Sequence, residues 1–468
     1  MTLLALAAGA LLLSAASPAP AQPPGEAPPA ASAQPADARL DRIFQEWLSA
    51  MNSGDPAAIK AFYARHLDDP NPLLALETAQ DTCGFRIERI ETRSPNSMTV
   101  LLRERCLPGE HRAKVELTAD GTGLKALNHS PLALPGDGAI RATVDIANRL
   151  AARNEFAGSL LVVRGDRALV ARSWGFADPA ARTPITLDTP MFLASAGKMF
   201  TAIAVLQLAE AGRIDLDAPV GRYLTDYPNA EMAKVTIRQL LTHRGGTGDI
   251  GILGRDDGAN RAKVRTIADI VRLNGTRPPD FPPGSKEDYS NYGFILLGAV
   301  IEKVAATRYE DYIARHVFEP AGMKHSGFPD RDHLSGVAVG YTTFFGAEPK
   351  LVANLDTLPW RGTPAGGGVA SANDIRRFFD ALKGGKLLSP AMLKLATTPG
   401  ETFWYGMGFV AEAGDNPHWG HGGMSYGMDV ALHYYAKDDT TFVCMAARDG
   451  VCNRLIYAWY PRAYGPGW

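Results

Sequence analysis

Ser195-Ala196-Gly197-Lys198 leads straight into Met199 to Ala211, a mostly apolar run that stops at Gly212. The run reads as an apolar helix ended by the glycine, with Ser195 at its N-terminus. A serine and a lysine three positions apart on a helix share one face and come within reach of each other. This matters because a serine hydroxyl is a poor nucleophile until something accepts its proton. Ala196 and Gly197 are small and leave space for a substrate. The helix dipole favours negative charge developing at this end. Taken alone, the same four residues also describe an ordinary N-cap serine.

Two stretches further along carry groups that complete such chemistry. Tyr289-Ser290-Asn291 lies between Phe281-Pro282-Pro283-Gly284 and an apolar helix expected over Phe294 to Val300, a loop held against a helix. A tyrosine near a lysine exchanges a proton with the serine or the leaving group, while an amide side chain holds both the lysine and the substrate. Tyr227-Pro228-Asn229 repeats the pattern but sits in an acidic, proline-containing turn and is set aside. Gly420-His421-Gly422-Gly423 stands at the edge of a strand near the C-terminus. Its glycines let a substrate backbone approach, and a strand edge supplies amide donors. His421 is then placed to bind a substrate carboxylate or to orient the tyrosine. Read alone, the stretch is a glycine-rich hairpin turn. His418 and His421 lack a third ligand at comparable spacing, so no metal is expected.

In this order, Ser-x-x-Lys, Tyr-x-Asn and His-x-Gly resemble the serine β-lactamase and penicillin-binding-protein superfamily. The likeness is to its class C branch, with the related D-alanyl-D-alanine carboxypeptidases, D-aminopeptidases and esterases. Leu160-Leu161-Val162-Val163, Leu240-Leu241-Thr242-His243 and Pro364-Ala365-Gly366-Gly367-Gly368-Val369-Ala370-Ser371 look like that family too. The resemblance covers residues 140 to 468 and implies an α/β, β-lactamase/transpeptidase-like fold: an antiparallel sheet flanked by helices, plus a helical subdomain. It makes Ser195 the nucleophile, Lys198 its base and Tyr289 the proton relay. Asn291 holds the substrate amide, and His421 occupies the place where many members have lysine. The oxyanion hole falls to the backbone N–H groups of Ser195 and Met424, with Gly423 beside them. The lysine must be neutral part of the time, which partial burial favours. No cofactor is implied.

Two departures bear on the substrate. Gly422 stands where the family often has a Thr or Ser whose hydroxyl grips a substrate carboxylate. Arg244-Gly245-Gly246 replaces the Thr-Ser-Gly common after Leu-Leu-Thr-His, so Arg244 is either a surface residue or a carboxylate anchor. The reading is therefore an exported serine hydrolase cleaving an ester or amide, a small molecule or peptide, through a Ser195 acyl-enzyme. A D,D-carboxypeptidase or β-lactamase is the alternative within the same chemistry. A non-catalytic sensor of peptidoglycan or another ligand is the alternative outside it.

The rest of the chain sets the context. Its 468 residues carry 48 Lys+Arg against 50 Asp+Glu, without a block of one sign, which gives no electrostatic footprint for nucleic acid. Leu3 to Leu13 is too short an apolar run to span a bilayer but suits a signal-peptide core, with Ala19-Pro20-Ala21 offering cleavage before Gln22. No Lys or Arg precedes that run. The expected organisation is a signal peptide over 1–21, a disordered Pro/Ala-rich linker over 22–38, and a small α+β domain over 39–134. This domain resembles the nuclear-transport-factor-like or cystatin-like group, with helices followed by a run of strands and an Asn52-Ser53-Gly54-Asp55 break. The remainder, 140–468, has strand-like runs at both ends (Ser159 to Arg164, Ala168 to Trp174, Tyr405 to Val410, Met428 to Tyr435, Thr440 to Ala446), which suggests one sheet closed by its two termini. No transmembrane span is expected in the mature chain. Four cysteines form two local pairs, Cys83 with Cys106 and Cys444 with Cys452, either disulfides in an oxidising periplasm or buried thiols.

Overall fold

Thr440–Ala446 has no exposed side chain, so this strand needs apolar cover on both of its faces. The computed structural model describes residues 36–69, 72–248, 264–344, 350–400 and 404–465. The expected signal peptide and the linker up to residue 35 lie outside them. Thr440–Ala446 sits inside a six-stranded antiparallel sheet ordered Val410–Glu412, His418–Ser425, Met428–Tyr435, Thr440–Ala446, Gly158–Arg164, Arg167–Trp174. Phe442 lies opposite Val162 and Val443 opposite Leu161, so strands some 280 residues apart in sequence are sheet neighbours.

Side-chain alternation sends the two halves of each central strand to different cores. On one face, Leu160, Val162 and Phe442 pack with Ile146 and Leu150 of helix Gly138–Ala152 and Trp459 of helix Val451–Tyr464. On the other, Leu161, Val163 and Val443 pack with Phe200 and Ile203 of helix Lys198–Glu210 and Phe378 of helix Ala372–Lys383. Each large side chain buried in this way stabilises by about 1.5–3 kcal/mol. Helix Lys198–Glu210 is buried on every side from Lys198 to Leu206, wrapped by the sheet and by helix Asn291–Ala305. Among the described residues no helix is long and apolar enough to cross a membrane.

Three sequence expectations shift. The apolar helix expected over Phe294 to Val300 spans Asn291–Ala305, because Ser290 caps it by accepting the Gly293 amide. Tyr405 to Val410 is mostly not strand. Gly408, at φ +79°, turns the chain, and a Cβ there would collide with Ala202, so this stretch runs along helix Lys198–Glu210 and pairing begins at Val410. The glycine-rich stretch Gly420 to Gly423 lies within strand His418–Ser425, and the hairpin turn falls later, at Tyr426-Gly427.

Residues 36–131 form helices Ala36–Ser53, Pro56–Leu67 and Leu73–Thr82, then a four-stranded antiparallel meander. Their own core gathers Trp47, Phe62, Phe85, Val100 and Val115. Cys83 and Cys106 are disulfide-bonded, as are Cys444 and Cys452. This unit is clamped to the last helix by charge: Arg454 forks onto the Asp81 carboxylate at 2.6 and 3.1 Å, and Arg462 reaches Glu104, which also receives His111 at 2.8 Å. All four ionic side chains are nearly excluded from solvent.

Candidate active site

The chain enters the nucleophile turn through Ala194, whose φ of +44° is rare for a residue with a Cβ. That bend puts Ser195, half-buried, in the 3-10 turn Ala194–Gly197, which runs into helix Lys198–Glu210. Lys198 is fully buried, with Nζ 3.3 Å from Ser195 Oγ. Its ammonium also donates to Asn291 Oδ1 at 2.7 Å and to the carbonyl of Ala365. Thr201, one turn on, donates to the carbonyl of Pro364 at 2.7 Å, so two side chains of one helix hold the Pro364-Ala365 backbone. The glycines that follow lie against the nucleophile turn: Gly367 donates to Ala194 O at 2.8 Å, and a Cβ on Gly197 would stand 2.8 Å from Gly367 O.

Tyr289 places its ring face 4.7 Å from Lys198 Nζ. Behind it stands His243, with ring centroids 4.3 Å apart, and behind His243 stands Tyr405 at 4.5 Å. His243 takes φ +57° and accepts the Ser290 amide on Nδ1 at 3.1 Å, which fixes its proton on Nε2. Burial first, then the charge of Lys198, holds it well below the usual histidine range, so the ring is neutral.

Gly423 closes the other side. A Cβ there would meet Leu193 O and stand 2.9 Å from the Ser195 amide nitrogen, so only glycine lets strand His418–Ser425 lie this close to the nucleophile. Strand Val410–Glu412 pairs with His418 to Gly420, and among the described residues no strand pairs with His421 to Ser425 on that side, where the Met424 side chain is exposed. His421 is buried and faces Tyr405, whose hydroxyl lies 3.1 Å from Nε2, while Nδ1 meets the carbonyl of Gly422. Burial, then Lys198, pushes His421 down to about 3, so it carries no charge at neutral pH. The tyrosine hydroxyl at its Nε2 is that of Tyr405.

Ser195, Lys198, Tyr289, Asn291, His421 and Gly423 are thus linked contact by contact, with Met424 next to Gly423. Arg244 is half-buried and donates to the carbonyl of Gly284, bracing the loop that leads to Tyr289. The Tyr227-Pro228-Asn229 copy lies apart, with Tyr227 bonded to the Tyr292 hydroxyl at 2.8 Å and Asn229 accepting turn amides. Three participants carry no motif of their own: Ala365, which contributes a carbonyl, Tyr405, and His243, visible only inside Leu240 to His243.

The family model for Beta-lactamase matches residues 145–460. A chain named as a penicillin-binding protein, PbpX, in Bacillus subtilis is 30% identical over 314 residues, 64% of this chain and 74% of that one. A D-aminopeptidase of Brucella anthropi is 28% identical, over 64% of this chain and 58% of its own length. Among solved structures, a penicillin-binding protein from Bacillus halodurans superposes with a TM-score of 0.61 at 30% identity, covering 67% of this chain and 98% of its own.

Proposed function

The chain belongs to the Beta-lactamase family of serine hydrolases, and from that premise we propose that it cleaves an ester or amide through an acyl-enzyme on Ser195. The observation that carries this reading is the approach of Lys198 Nζ to Ser195 Oγ, 3.3 Å, from a lysine with no exposed surface. In its neutral form Lys198 takes the hydroxyl proton as Oγ attacks the substrate carbonyl carbon. The carbonyl electron pair moves to oxygen, where the amides of Ser195 and Met424 receive it; a preorganised donor of this kind lowers the barrier by about 3 kcal/mol. The C–O or C–N bond then breaks, and the leaving group takes the proton relayed from Lys198 through Tyr289. Water attacks the acyl-enzyme, releasing the acid and restoring Ser195. Asn291 bridges the lysine and the substrate amide.

The motif order supports a place near the class C branch. The penicillin-binding names of the relatives favour a second reading, acylation by β-lactams or D-alanyl peptides. Neutral His421 and hydroxyl-free Gly422 weigh against it, since neither supplies a grip for a carboxylate. Export to the periplasm is supported by the Leu3 to Leu13 run and by the two disulfides.

The test is intact-protein mass spectrometry after exposure to a fluorophosphonate, a p-nitrophenyl ester and benzylpenicillin, beside Ser195→Ala. Adducts that vanish in the variant are expected, with ester turnover outpacing penicillin. No adduct with any of the three would leave the cleft as a binding site and sink the mechanism.

A further inference from the structure

A cavity of about 170 Å³ adjoins the nucleophile turn. Ala194, the residue before Ser195, lines it, together with Gly366 to Gly368 and with Ser425, the residue after Met424. Its other walls include Phe192, Leu334, Leu358, Trp360, Tyr426 and Met428, a largely aromatic and aliphatic set. We propose that this cavity receives the acyl side of the substrate, and that the acyl group is apolar and about the size of one six-membered ring. This rests on the reading of Ser195 as the nucleophile, and it names the substrate class that reading leaves open.

Three observations carry it. The first is position: the Gly367 amide donates to Ala194 O at 2.8 Å, so cavity wall and nucleophile turn are one hydrogen-bonded unit. Ala194 and Ser425 on that wall are the sequence neighbours of Ser195 and Met424, whose amides are read as the oxyanion pair. The second is size and chemistry, since an apolar cavity of roughly 150 Å³ accommodates a benzene molecule. The third is the rim. Phe344 and Met424 are 65% and 58% exposed, and Tyr426, which lines the cavity, is 43% exposed with its ring centroid 6.0 Å from that of Phe344. Exposed apolar groups clustered at a cleft mouth mark a surface that gains by covering. Arginines offer little counter-argument: Arg361 is occupied by Asp330 at 3.6 Å and Glu310 at 3.9 Å. Arg331 also lines the cavity, so an acyl group ending in a carboxylate is the competing occupant.

The experiment compares kcat/KM for the p-nitrophenyl esters of acetate, hexanoate, phenylacetate and monoanionic adipate, each divided by its alkaline hydrolysis rate. The full chain is used, with Leu334→Trp to narrow the cavity and Trp360→Ala to widen it, and active sites are counted by fluorophosphonate labelling. We expect hexanoate and phenylacetate to exceed acetate by at least tenfold and adipate to fall below hexanoate. Leu334→Trp is expected to cut the phenylacetate-to-acetate ratio at least fivefold, and Trp360→Ala to shift the preference toward longer chains. A wild-type ratio near one, a preference for adipate, or ratios unmoved in whichever variants still label would overturn the proposal. Absence of any Ser195 adduct in the wild type would instead remove the nucleophile reading itself.

Discussion

Lys198 Nζ donates to Asn291 Oδ1 at 2.7 Å, joining the start of one helix to the start of another across 93 residues of sequence. A neutral amide there holds the lysine in place without adding a charge. Asn291→Asp keeps the geometry and adds a carboxylate at hydrogen-bond distance, which favours the ammonium over the amine. The base is then protonated over a wider range of pH. The acid limb of kcat/KM for ester hydrolysis should move to higher pH, with a loss on the order of 10–100-fold at pH 7. A pH profile superimposable on that of the wild type would exclude Lys198 as the base.

His243 is predicted to act by position. Its ring backs Tyr289, and its Nδ1 takes the Ser290 amide at 3.1 Å. His243→Leu leaves that buried amide without its acceptor, at a cost of about 1–3 kcal/mol. Because Ser290 also starts helix Asn291–Ala305, both Tyr289 and Asn291 lose their setting. A fall in kcat of roughly tenfold or more is expected, with KM moving less, since a displaced relay weakens the transition state more than binding. His243→Asn, which keeps an acceptor on the side chain, should recover part of kcat. Equal loss in both variants would point to the ring alone.

Gly422 offers a gain-of-function test. A Cβ on it would meet only Val430 O, at an ordinary 3.6 Å. Gly422→Thr therefore installs the missing hydroxyl on the open strand edge without a clash. Acylation by benzylpenicillin, followed by mass spectrometry, should quicken by roughly tenfold, the scale of one hydrogen bond to a charged group. No change would mean that the carboxylate does not approach this edge.

Acid should destabilise the fold in a defined window. His421 and His433 are both pushed from 6.5 down to about 3, chiefly by burial. Between those values the unfolded chain binds protons that the folded chain refuses, so stability falls as pH drops from about 6.5 toward 3. The slope is at most about 1.4 kcal/mol per pH unit for each group. Asp429, raised to about 6, and Glu77, raised to about 7, again by burial first, work the other way and offset these two histidines over much of the range, but His129, pushed down to about 3, and His243, held well below its ordinary value, both chiefly by burial, leave a net decline. Urea midpoints measured from pH 7.5 to 4.5 should decline, and His433→Gln should flatten the decline. An unchanged slope in that variant would show that His433 titrates normally in the folded state.

Strand Thr440–Ala446 was legible because burial on both faces demands a mostly apolar run free of charge, and the Met199 to Leu206 part of helix Lys198–Glu210 for the same reason. Helix Leu73–Thr82 was not, because Leu73 and Leu74 are over 60% exposed and its buried face is made of Ala75, Ala79, Asp81 and Thr82, which gives no apolar stripe. Gly420 to Gly423 illustrates a residue type with two physical uses. Glycine marks turns, but here Gly420 and Gly423 are required by close backbone approach, to Leu432 and to Ser195, and that demand exists only once the sheet is assembled. In the cleft, Ser195, Lys198 and Asn291 stood out through local spacing. His243 and Ala365 sit in stretches that resemble the family, but the ring stacking of His243, the Ala365 carbonyl and Tyr405 act across long sequence separations, and local spacing assigns them no role.

The clamp between the two units gives the last prediction. Glu104 is buried with no exposed side-chain surface; burial works to raise its pKa, but the His111 hydrogen bond and the Arg462 charge outweigh it and hold the carboxyl below its ordinary value. Arg462→Met removes one partner and leaves a buried carboxylate with His111 alone, which should cost about 3–5 kcal/mol. Arg103 provides the control, since it pairs with Glu88 and Glu110 at a surface where it is 55% exposed. Arg103→Met should cost less than about 1 kcal/mol. Adding Glu104→Leu to Arg462→Met removes the orphaned charge and should restore much of the loss. If urea unfolding gives the two arginine variants the same midpoint, Arg462 is not holding a desolvated charge, and the clamp rests on Arg454 with Asp81 and on apolar contact.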